Sequence, residues 1–115
     1  MAMSAYLAEG LRLFQDRQYF LCHETLEEHW VEAPEEDRDF YQGLIHLAVG
    51  FLHHDNANTK GARLQFGKAA KRLERYPEIY QEIDLAKLRE FLATVPAVLD
   101  AGDTLEPPQL FRPVG

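Results

Sequence analysis

Two stretches of the chain put ionisable side chains where a helix would carry apolar ones. At about 100° per residue, Tyr19, His23, Leu26, Glu27 and Trp30 fall within one arc. His23 and Glu27 are four residues apart, so their side chains meet on adjacent turns. Further on, Gln42, His46 and His53 share one face at spacings of four and seven, beside Gly43 and Gly50. A short connection between the two helices makes them antiparallel, with Glu27 beside Gly43 and His23 beside Leu47. Helices about 8–10 Å apart would let a histidine on one reach a carboxylate on the other.

Two chemistries fit such a cluster. The first is a buried polar network of His23, Glu24, Glu27, Trp30, Gln42 and His46 that holds helix register, with the Trp30 indole N–H and Gln42 completing it. The second is a divalent transition metal, zinc, iron or manganese, on His23, Glu27 and His46 with His53 or Glu24. A hydrolase would then use Glu24 or Glu27 as base. The network is the leading expectation, because the metal spacing is only weakly specific. His23-Glu24-Thr25-Leu26-Glu27 begins like a His-Glu-x-x-His helix but ends in Glu, and Glu24-x-x-Glu27 has no His three residues on. There is no Gly-x-Ser-x-Gly, glycine-rich phosphate loop or dinucleotide fingerprint. Cys22 lies across helix two from His23 and reads as an inert thiol, and His29 reads as a surface residue. His53 and His54 project in two directions, so only one can join the cluster.

The elements that must position these residues are helices. A period near 3.6 runs through the chain and no β-alternation persists. Ser4 caps a first helix carrying Leu7, Leu11 and Phe14, and a second runs from about Tyr19 to Glu32, where Pro34 stops it. The third begins near Asp37 or Asp39 and ends around His54; Asn58 or Thr59 caps a fourth that reaches about Tyr76. Asp84 caps a fifth, bent or ended at Pro96. Helix three is apolar over more than half its girth, so it is central, and Gly43 and Gly50 mark a neighbour packed close. The expected fold is all-α: an antiparallel bundle of four to five helices over residues 1–101, with a Pro-rich extended C-terminal tail over 102–115, pinned by Leu110 and Phe111.

Composition narrows the setting. The 115 residues are 46% hydrophobic, which excludes a disordered polymer. Charged residues interrupt every apolar stretch before about 20 residues, so no span is expected. The first residues lack the pattern of a signal peptide and Cys22 has no partner for a disulfide, so the expected compartment is the cytoplasm. The net charge of −7 argues against a general nucleic-acid binder. Its distribution is uneven. Eight acids face Arg38 alone between Glu24 and Asp39, and six bases face Glu74 alone between Lys60 and Arg75. Faces of opposite sign suit a homodimer, and Lys60, Arg63, Lys68, Lys71 and Arg75 offer an anion-binding strip.

The run Tyr19-Phe20-Leu21-Cys22-His23-Glu24-Thr25-Leu26-Glu27-Glu28-His29-Trp30, followed by Tyr41-Gln42-Gly43-Leu44-Ile45-His46-Leu47-Ala48, resembles the small prokaryotic family known as domain of unknown function 309. The resemblance covers about residues 5 to 75. It implies a small all-α bundle and brings no established activity, substrate or cofactor. His23, Glu24, Glu27, Trp30, Gln42 and Gly43 match the family's positions, whereas His46 stands where Gln is usual. Gln is a poor transition-metal ligand, so the departure suits a hydrogen-bond network better than a family-wide metal site. The functional expectation is a binding or interaction module for a small molecule or protein. The alternatives are the metal-dependent enzyme, and an anion or nucleic-acid accessory working through residues 60–75.

Overall fold

A computed structural model describes residues 4–110, so Phe111, expected to pin the tail, lies outside the described residues. The chain is mostly helical: α1 (Ala5–Gln15), α2 (Tyr19–Glu32), α3 (Glu35–Asp55), α4 (Thr59–Leu73) and α5 (Leu85–Asp100). Capping follows residue chemistry. The side chains of Ser4, Asn58 and Asp84 accept from the backbone N–H of Leu7, Gly61 and Lys87, satisfying otherwise orphaned donors. Pro34 ends α2 and opens α3, whose first turn carries Glu35, Glu36 and Asp37 against the positive end of the helix. That helix thus starts ahead of the expected acids. Pro96 does not end α5, which continues to Asp100.

Phe51 shows why α3 is central. Its ring lies 5.6 Å from Phe14 of α1, 5.2 Å from Tyr19 of α2, 5.1 Å from Phe66 of α4 and 5.7 Å from Phe91 of α5. Rings at such separations pack edge-to-face or offset and bind beyond their buried area. One side chain therefore organises the whole bundle. The glycine arc of α3 receives α4: a Cβ at Gly43 would stand 2.5 Å from Leu73 Cγ, and one at Gly50 2.7 Å from Phe66 Cε1.

The chain also makes a hairpin that its periodicity does not announce. β1 (Ile79–Tyr80) pairs antiparallel with β2 (Ile83–Asp84). The two loop residues, Gln81 and Glu82, take φ of 47° and 66°, the left-handed conformation that a two-residue hairpin loop requires. Pairs of two residues are too short to leave an alternation in the sequence. Between Ala101 and Leu110 the described chain runs without helix or strand, burying Leu105 and Leu110, and the Leu110 carbonyl accepts from the Asp84 N–H at 3.2 Å.

Candidate functional site

The close approach of α4 to the glycine arc carries two polar residues of α3 with it. His46 Nδ1 and Gln65 Oε1 of α4 lie 2.7 Å apart, so the imidazole donates across the seam. Burial holds the His46 pKa below its ordinary value, helped by the nearby positive charges of Lys68 and Arg72, while the bond to Gln65 works the other way. His46 and Gln42 form one wall of a cavity of about 510 Å³. Lys68, Lys71, Arg72 and Arg75 come from the α4 side, and Asp39 and Glu74 complete the lining. Asp39 holds both arginines, at 2.7 Å from Arg72 Nη1 and 3.4 Å from Arg75 Nε, and Arg72 keeps its carboxyl below the usual range. Lys68 and Lys71 have no ion-pair partner among the described residues. The site is a cationic cleft on an acidic protein.

The residues of α2 go elsewhere. His23 Nε2 stands 3.2 Å from Glu27 Oε1, a contact within one helix, with the Glu27 side chain 53% exposed. Glu24 and Glu27 line a shallow outward hollow with Glu28 and Val31. The Arg38 guanidinium lies 4.4 Å from the Trp30 ring, while Trp30 Nε1 and His23 Nδ1 are buried without a hydrogen-bond partner among the described residues. No hydrogen bond or ion pair among the described residues joins His23, Glu27 or Trp30 to Gln42 or His46. The single cluster expected from the sequence is therefore two separate groups. The reason is azimuthal: an antiparallel hairpin sets direction, but the glycine arc gives the Gln42/His46 side of α3 to α4 instead of α2.

The expected metal ligands part for the same reason. His23 faces Glu27, His46 faces Gln65, and His53 Nδ1 lies 3.3 Å from Asn58 Nδ2. His54 Nε2 accepts instead from the Leu105 N–H at 3.3 Å. Among the described residues, no three His, Cys, Asp or Glu side chains are grouped to hold a metal ion. Cys22 is buried, and burial pushes its thiol up to about 12.

Comparison with known proteins agrees with the motif-bearing helices. Residues 7–64 match the family described as a domain of unknown function, DUF309. The chain belongs to that family. It is also 33% identical over 98 residues to the uncharacterized protein YpuF of Bacillus subtilis (strain 168). That alignment takes in 83% of this chain and spans 56% of the relative's length.

In this DUF309 chain, sequence reasoning also missed a side-chain relay. His29, expected at the surface, is half-buried, with Nε2 3.3 Å from Ser4 Oγ and 3.0 Å from Tyr41 Oη. The Tyr41 hydroxyl donates in turn to Gln81 Oε1 of the hairpin at 3.3 Å. Tyr6 stacks on the His29 ring at 5.1 Å. Ser4 also caps α1, so the relay ties that helix's start to α2, α3 and the left-handed loop. The only signal in the sequence was Tyr41 among core residues, since a buried phenol needs a partner.

The expected anion strip is divided as well. Arg75 belongs to the α3–α4 cleft alone, Lys60 and Arg63 to a second groove along α4, and Lys68 and Lys71 border both. No helix among the described residues is long and apolar enough to cross a membrane.

Proposed function

We propose that this DUF309 protein is a binding module that takes the anionic group of a small molecule or protein in the α3–α4 cleft. The observation that carries the reading is the meeting of Lys68 and Lys71, which have no ion pair among the described residues, with half-buried Gln42 and His46 around one cavity. A helix pair held at glycine distance gives that wall a rigid base, and the two ammonium groups supply attraction without first breaking an internal pair. The Gln42 amide adds a neutral donor that can orient an oxygen. Binding is favoured over turnover because the lining has no hydroxyl or thiol nucleophile, one of its two carboxylates, Asp39, is committed to Arg72 and Arg75, and His46 Nδ1 is engaged by Gln65.

The test is a titration of the folded chain with inorganic phosphate and pyrophosphate, followed by amide shifts in heteronuclear NMR. Saturable shifts at Gln42, His46, Lys68 and Lys71 are expected, stronger for pyrophosphate and weakened by added salt. Lys68→Gln with Lys71→Gln should weaken binding by at least about tenfold, or about 1.4 kcal/mol. Shifts scattered over all basic residues, or unchanged in that double variant, would overturn the reading.

A further inference from the structure

We propose that the groove along the outer face of α4 receives helix α2 of a second copy of this chain. Lys60, Arg63, Leu64, Gly67, Lys68 and Lys71 line this groove, which encloses about 570 Å³. Its floor is apolar: Leu64 is 58% exposed, and a Cβ at Gly67 would meet nothing within 4 Å. Missing side-chain bulk at the middle of an exposed helix lets another helix approach closely. Arg63 is paired with Asp100, but Lys60, Lys68 and Lys71 have no ion-pair partner among the described residues. The groove therefore suits an acidic helix with a large apolar residue at its centre line.

The outer face of α2 has that chemistry. At about 100° per residue, Phe20, Glu24, Glu27, Glu28 and Val31 fall on one exposed arc. Val31 is 65% and Phe20 53% exposed, with the acids between them. Glu24 and Glu28 have no ion pair among the described residues. The helices are also matched in length, 14 residues in α2 and 15 in α4. Both arcs point away from the core that α2 and α4 share with α3, so they meet only between copies. Leu64 and Val31 would leave water together while three lysines face the glutamates. Exposed ion pairs contribute at most about 1 kcal/mol each, so the contact is weak and salt-sensitive. The contact closes as a two-fold pair when both copies exchange α2 and α4, or grows as a chain when it repeats head to tail.

Sedimentation velocity on the full chain, across protein concentration and salt, tests the proposal. Association is expected at low salt and lost at high salt. Leu64→Glu should abolish it, as should reversal of α2 by Glu24→Lys with Glu28→Lys, or of α4 by Lys60→Glu with Gly67→Glu. All these positions are exposed, so circular dichroism should be unchanged. Mixing the two reversed variants should restore a complex that neither forms alone. A wild-type chain that stays monomeric at low salt, association indifferent to Leu64→Glu, or a mixture that does not pair would overturn the proposal. None of the substituted residues lines the α3–α4 cleft, so failure here leaves the phosphate titration intact, and failure there leaves this contact intact.

Discussion

His46 and His23 begin as equivalent residues, each a histidine on a helical arc with a polar neighbour, and the structure treats them oppositely. His46 is half-buried at the α3–α4 seam and bonds across it to Gln65. His23 turns along its own helix to the exposed Glu27. The difference lies not in the histidines but in what stands beside them. Gly43 and Gly50 let Leu73 and Phe66 of α4 come within the space of a missing side chain, so polar residues on that arc become an interhelical wall. The arc of Glu27 looks outward, where water competes for every charge.

The largest expected effect is at the seam itself. Gly43→Val forces side-chain atoms into the Leu73 position and should destabilise the protein by about 1–3 kcal/mol through overpacking. Gly67→Ala, on the exposed side of α4, should instead stabilise by up to about 1 kcal/mol, because it removes a helix glycine without a clash. Urea midpoints of the two variants moving in the same direction would break the contrast between the seam and the outer face.

A smaller effect is expected on α2. Glu27→Ala should cost no more than about 1 kcal/mol, the range of an exposed pair, as read from thermal unfolding. A loss of several kcal/mol would show that Glu27 belongs to a buried network after all.

The smallest effect is one of pH. The folded-state pKa of His46 lies below its ordinary 6.5, so the unfolded chain takes up this proton first as pH falls. Stability should therefore decline from neutral pH through the ordinary histidine range toward the lower folded value. His46→Gln keeps a donor for Gln65 and removes the proton, so its melting temperature should change less between neutral and mildly acidic pH. Identical pH profiles would show that protonation of His46 is not coupled to folding.

Much of the bundle is legible in the sequence. Ser4, Asn58 and Asp84 cap helices because short polar side chains satisfy free N–H groups, and Pro34 separates α2 from α3 because it cannot continue a helix. The His29 relay was not legible, since Ser4, Tyr41 and Gln81 reach it from distant parts of the chain. Nor was the hairpin, whose loop adopts a conformation that Gln and Glu rarely take.

From the residues alone it follows that α3 is apolar on most sides, that two of its glycines share one arc, and that acids crowd residues 24–39 while bases crowd residues 60–75. Those are local properties: the helical period converts positions into directions around each axis. Which neighbour meets which direction depends on how the helices pack. A short loop permits α2 to sit at several azimuths around α3, and the choice follows from where Leu73 and Phe66 can fill the space left at Gly43 and Gly50. That choice sent Gln42 and His46 to the lysines of α4, away from the glutamates of α2.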